Sequence, residues 1–143
     1  MIAVDTNILV YAFNSAAAEH ARADETMRLL TEGSSWGLPW SAVHEFITVV
    51  TSQRFAQRRA PVELALQAVD VWVSAPTVVL LSEPRGYWRV LRELATSGHV
   101  AGSGIYDARI AATCIAHGVR ELWTADRDFG RFPGLRTHNP LVC

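Results

Sequence analysis

Short apolar runs in this chain alternate with longer segments of helical periodicity, and that alternation restricts the fold more than any other feature of the sequence. Ile2-Ala3-Val4 is closed by Asp5-Thr6-Asn7, residue types that favour turns and helix caps, before Ile8-Leu9-Val10 resumes the apolar pattern. A strand breaking into a helix at Asp5 or Thr6 fits. Residues 16–32 set Ala23, Met27 and Leu30 among Glu19, Arg22, Asp24, Glu25 and Arg28, an amphipathic helix stopped by Gly33. Trp36-Gly37-Leu38-Pro39-Trp40 reads as a short strand with its proline at the end, and Ser41 as the N-cap of a helix carrying Val43, Phe46, Ile47 and Val50.

The pattern continues to the end of the chain. Pro61 opens a helix with Leu64, Leu66, Val69 and Val73 that stops near Pro76, and Val78-Val79-Leu80-Leu81 reads as a buried strand. Residues 86–97 predict a helix with Trp88, Leu91, Leu94 and Ala95 as its inner face. A glycine-rich loop over 98–104 leads to a helix over 105–117, with Asp107 in its first turn and Gly118 as C-cap. Glu121-Leu122-Trp123-Thr124 is the last clear strand. Strands alternating with helices specify a parallel sheet covered on both faces and joined by right-handed crossovers. The expected fold class is therefore α/β, a three-layer α/β/α sandwich with a central parallel sheet of about four to five strands.

The 143 residues fit one domain, 1–143, with 50% hydrophobic and 19% charged residues. No apolar run approaches the roughly 20 residues of a spanning helix, and the N-terminus lacks the charged lead and apolar core of a signal peptide. The cytoplasm is the expected address. Cys114 and Cys143 give neither a disulfide framework nor a CxxC metal site, and both read as free thiols.

Net charge is −1, with 13 basic and 14 acidic residues. That balance argues against a strongly basic nucleic-acid binder unless charge is segregated. If four acids share one site, ten remain against 13 arginines, a surplus able to meet phosphates. Every basic residue is Arg, and the absence of Lys removes the P-loop. It also argues against receiver domains and dehalogenase-like phosphatases, which normally place a Lys near phosphate. Gly98, Gly102 and Gly104 do not make the dinucleotide fingerprint, and the histidines show neither HExxH nor triad spacing.

Four acids occupy equivalent places in this layout. Asp5 ends the first strand, Glu45 lies about one turn into the helix after the second, Asp107 opens a late helix and Asp126 follows the last clear strand. In an open parallel sheet the carboxyl edge of the strands is where ligands bind, so acids distant in sequence can converge there. Two carboxylates 4 Å apart repel by on the order of 4 kcal/mol at an effective dielectric near 20, so such a cluster calls for a cation. Oxygen donors without Cys or His favour Mg²⁺ or Mn²⁺ over Zn²⁺, and such ions suit phosphate chemistry. Thr6, Asn7 and Thr124 either orient ligands by hydrogen bonds or serve as cap and turn residues. Asp128 either reaches a metal or caps the following turn. Singly, each acid is also explained by the dipole preference of a helix N-terminus.

At this point the residues resemble a known family. Ile2-Ala3-Val4-Asp5-Thr6-Asn7-Ile8-Leu9-Val10-Tyr11 is similar to the opening of PIN domains, notably the VapC-type toxins of bacterial toxin–antitoxin pairs. Ser41-Ala42-Val43-His44-Glu45-Phe46 resembles the second acidic motif, and Tyr106-Asp107-Ala108-Arg109-Ile110-Ala111-Ala112-Thr113 the third. Leu122-Trp123-Thr124-Ala125-Asp126-Arg127-Asp128-Phe129 resembles the last.

The resemblance implies a PIN-like fold and a Mg²⁺- or Mn²⁺-dependent endoribonuclease with Asp5, Glu45, Asp107 and Asp126 as its catalytic and metal-binding quartet. It also implies an RNA substrate, a cognate antitoxin and a homodimer or a higher assembly with antitoxin. Leu9, Phe13, Met27 and Leu30 are candidates for the antitoxin contact, against a role in core packing. Arg109 departs from the family, which more often has an apolar residue there; it either pairs with a nearby acid or reaches RNA. His44 reads as a helix-surface residue beside the site, and Arg54, Arg58 and Arg59 as either RNA guides or a solvated loop. The tryptophans read mainly as core. Two alternatives remain: a catalytically silent PIN-like module that binds RNA or protein, and a stand-alone RNA-processing nuclease.

Overall fold

A computed structural model describes residues 1–52 and 59–143. Five parallel strands form one sheet in the order β3-β2-β1-β4-β5, with β1 Ile2–Val4, β2 Trp36–Pro39, β3 Val78–Leu81, β4 Glu121–Trp123 and β5 Arg136–His138. The helices are α1 Thr6–Phe13, α2 His20–Glu32, α3 Trp40–Thr51, α4 Val62–Val73, α5 Tyr87–Ser97 and α6 Gly104–Ala116. The central β1 pairs Ile2 with both Trp36 and Glu121, so Ala3 and Val4 are wholly enclosed. This is the α/β architecture that the alternation predicts. Among the described residues no helix is long and apolar enough to cross a membrane.

Several local expectations change. β5 lies beyond the last strand legible in the sequence: all three of its residues are exposed, so it has no apolar alternation. It is held by pairing with β4 and by an Arg136–Glu121 ion pair of 2.9 Å. β3 is an edge strand, and Val79 and Leu80 stay 39% and 36% exposed where a buried strand was expected. Four consecutive apolar residues do not distinguish an edge from a centre. α3 starts directly after Pro39, whose φ of −65° and ψ of 132° supply the extended cap, so Ser41 lies inside the helix rather than capping it.

The inner faces of two helices also differ. α4 turns Ala65, Val69 and Trp72 inward at i, i+4 and i+7, leaving Leu64 and Leu66 exposed. In α5 the same spacing selects Tyr87, Leu91 and Leu94, which rotates Trp88 to 67% exposure. α2 begins at His20, because Asn14 accepts a hydrogen bond from Ala16 N and starts a turn there. Trp36 and Trp72 are core, while Trp40 and Trp123 pack partly buried against it. Cys114 is buried in α6, which pushes its thiol up to about 12.

Candidate active site

The acid-bearing edge is built around Asp5. Its backbone N still donates to Trp123 O at 3.0 Å, continuing the β1–β4 ladder one residue past the strand. Its side chain then caps α1, with Oδ1 accepting from Thr6 N at 2.7 Å. The other oxygen, Oδ2, accepts from Thr124 Oγ1 at 2.7 Å and from Asn7 Nδ2 at 3.1 Å. A carboxylate with these partners has one orientation, and Asp5 is only 4% exposed.

Thr124 and Asn7 extend that network across the sheet. Besides donating to Asp5, the Thr124 hydroxyl accepts from Asn7 Nδ2 at 3.1 Å and Asp126 N at 3.0 Å. Asn7 Oδ1 accepts from Ala125 N at 3.1 Å. Asp126, in extended conformation, accepts from Asp128 N at 2.8 Å and caps a short 3-10 turn, Arg127–Arg131. On the other side, Thr6 Oγ1 donates to Glu45 Oε2 at 2.9 Å and ties α1 to α3.

Asp5, Glu45, Asp107 and Asp126 all line one open cleft of about 410 Å³, together with Thr6, Asn7, Val10, Tyr11 and Asn14. The structure thus brings together four acids from four separate elements. Asp128 does not line the cleft; its side chain is exposed and its backbone N serves the Asp126 cap. Arg109 donates through Nε to Glu83 at 2.8 Å, the acid pairing weighed from the sequence, and this bond holds the Glu83 carboxyl below its usual range. His44 is exposed on α3 and stacks on Trp40. Arg54 and Arg58 lie outside the described residues, and Arg59 is exposed.

Electrostatics in the cleft follow from burial. Asp5 is pushed up to about 7, chiefly because its charge is desolvated; the Thr124 and Thr6 hydrogen bonds oppose this, and the Glu45 and Asp107 charges add to it. Asp107 is raised to about 6, again first by burial, then by the charges of Asp126 and Glu45; Arg131 opposes this, and Asp128, from outside the cleft, adds to it. Three hydrogen bonds do not offset the loss of hydration at Asp5.

A donor set of carboxylate, hydroxyl and amide oxygens fits a hard cation that keeps several waters. Elevated affinity for protons marks the same site as one short of positive charge. As the side chains stand, no group of three or more Asp, Glu, His or Cys among the described residues encloses a point where an ion would be held.

One further residue stands near the acids with no motif to mark it in the sequence. Arg131 Nη2 lies 3.8 Å from Asp107 Oδ2, and the guanidinium sits 5.1 Å from the centre of the Phe132 ring. A Cβ at Gly104 would come within 3.0 Å of Nη2, so the missing side chain gives the guanidinium its place against α6. Its Nε is buried with no partner among the described residues. The only trace in sequence is a spacing of five from Asp126, which without the 3-10 turn carries no direction.

The profile of the PIN domain matches residues 2–135. Ribonuclease VapC43 of Mycobacterium tuberculosis (strain ATCC 25618 / H37Rv) is 38% identical over 143 residues, covering 99% of this chain and 96% of the relative. The crystal structure of Mycobacterium tuberculosis VapC20, described as a sarcin–ricin loop cleaving toxin, superposes with a TM-score of 0.67 at 20% identity, covering 95% of this chain and 99% of the other. A toxin–antitoxin complex from Klebsiella pneumoniae superposes with a TM-score of 0.65 at 18% identity, with 98% of each chain covered. At these identities the two structures speak to the fold alone.

Proposed function

Since the chain belongs to the PIN-domain family, we propose that it is a divalent-metal-dependent endoribonuclease, the toxin of a toxin–antitoxin pair neutralised by a cognate antitoxin. The observation that carries this reading is the cleft lined by Asp5, Glu45, Asp107 and Asp126, two of whose carboxyls are pushed toward neutrality by burial and mutual charge. A pure binding module gains nothing from several repelling carboxylates at one point.

In this reading the four acids would hold Mg²⁺ or Mn²⁺, which when bound would polarise the phosphoryl oxygen and acidify a water. The chain's own residues fix the geometry. Thr124 and Asn7 lock the Asp5 carboxylate, and Thr6 aims Glu45. Arg131 adds positive charge beside Asp107. Water adds to phosphorus and the bond to the 3′ oxygen breaks, leaving a 5′-phosphate and a 3′-hydroxyl, as the family resemblance implies.

The antitoxin supplies the second half of the assignment. Of the four apolar residues considered for that contact, Leu9, Met27 and Leu30 are buried in the core. Phe13 alone keeps access, on a groove shared with Leu64 and Val71 of α4 that suits an apolar helix.

Incubating purified protein with total RNA in Mg²⁺ or Mn²⁺ tests the enzymatic half, with EDTA and an Asp5→Asn variant as controls. Cleavage abolished by both controls is the expected result. Absence of cleavage by wild type across several RNA pools would sink the reading.

A further inference from the structure

A second recess, of about 430 Å³, opens between α3 and α6 and shares Glu45 and Val49 with the acid cleft. Its walls carry Ser41, His44 and Thr48 from α3, and Tyr106 and Arg109 from α6. We propose that this recess receives one unpaired base of the RNA strand, next to the phosphate that is cut, and thereby sets the nucleotide preference of cleavage. The proposal rests on the ribonuclease reading above.

Five observations converge on a base. The recess falls within the size range of small-ligand sites and is contiguous with the acids, so a strand whose phosphate lies over the cleft passes Glu45 into it. Tyr106 is 58% exposed immediately before Asp107 in the chain, which places a large aromatic ring where core packing gives it no role. Single-stranded RNA is recognised by bases splayed onto such rings and onto arginine planes.

Arg109 is held by Glu83 through Nε only, which fixes the guanidinium while leaving its terminal N–H groups without a partner among the described residues. Ser41 stands in the wall of the recess, and its Oγ, set below the solvent-reached surface, has no hydrogen-bond partner among the described residues. With Arg109 offset by Glu83 and Glu45 at the mouth, the charge of the recess suits a neutral base rather than a second phosphate.

Two measurements test it, using wild type, Tyr106→Ala, Tyr106→Phe and His44→Ala. Sequencing the ends generated from total RNA should give the wild type a preference at one position beside the cut. Tyr106→Ala should flatten that preference and raise KM about tenfold, acting on KM more than on kcat, while Tyr106→Phe keeps both. Unchanged preference and KM in both alanine variants overturns the proposal. So does a change of molar mass by light scattering in those variants, which would make the recess an interface between copies.

The second measurement is anisotropy with a pool of fluorescein-labelled single-stranded RNA hexamers in EDTA. Binding weakened by Tyr106→Ala supports the base recess even where the wild type fails to cleave, an outcome that removes the ribonuclease reading alone. No binding of the pool by wild type overturns the recess, whatever the cleavage assay gives.

Discussion

Thr124 Oγ1 donates a 2.7 Å hydrogen bond to Asp5 Oδ2, joining the ends of β4 and β1 across 119 residues of chain. The same hydroxyl accepts from Asn7 and from the backbone of Asp126, so one oxygen fixes two of the four acids relative to each other.

Replacing Thr124 by Val keeps the shape and removes the hydroxyl, leaving Asp126 N and part of Asn7 unpaired. We expect a loss of about 1–3 kcal/mol in urea denaturation at unchanged m-value, with cleavage reduced as well. Thr124→Ser should retain most of both. Equal stability of Thr124→Val and wild type would show that the network contributes nothing to the fold.

Asp5 and Asp107 predict a specific pH dependence for the chelated protein. Their folded values of about 7 and about 6 stand above the ordinary 3.8, so between these limits the folded chain binds more protons than the unfolded one. Their contribution to stability is complete below about pH 4 and is lost as pH rises toward 7. In EDTA, Tm should therefore fall by several degrees between pH 5 and pH 8, and added Mg²⁺ or Mn²⁺ should flatten the slope. A Tm rising with pH across this window in EDTA would contradict the account.

The two acids that differ most in placement should differ in consequence. Asp107 lines the cleft, whereas the Asp128 side chain is exposed outside it. Asp107→Asn should lower kcat by at least about a hundredfold, as expected for loss of a charge-stabilising group, while Asp128→Asn stays within about tenfold of wild type. Initial rates on one RNA, with circular dichroism to establish folding, decide the matter. Comparable losses in both variants would return Asp128 to the site.

Phe46 anchors the helix that carries Glu45. It is fully buried, with ring centres 5.4 Å from Phe13 and 4.9 Å from Trp72, both edge-on. Phe46→Ala should cost about 3–5 kcal/mol and lower the unfolding midpoint accordingly. A cost below about 1 kcal/mol would mean that the α1–α3–α4 packing refills the space.

Much of the fold was legible because its signals are local. Asp5-Thr6-Asn7 announces a strand giving way to a capped helix, and Gly33 and Gly118 mark helix ends wherever they stand. The alternation of strand and helix then specifies a parallel sheet, and its carboxyl edge is where acids at element ends must lie. The exposure of Trp88 and of the middle of β3, and the existence of β5, are not legible in the sequence for a shared reason. Burial at these positions depends on strand order and on which side a helix packs, and neither is encoded within a window of a few residues.

Caps, breakers and periodicity act over a turn or two of chain, and they suffice for four of the five strands, the parallel sheet and the placement of Asp5, Glu45, Asp107 and Asp126 at matching ends. Packing in three dimensions set the rest. It put β4 beside β1, so that Thr124 and Asn7 meet Asp5; it set Arg131 beside Asp107; and it gathered Ser41, Tyr106 and Arg109 around one recess. Hydrogen bonds and charge interactions depend on distance in space, and for residues more than a hundred positions apart only the order of strands in the sheet fixes that distance.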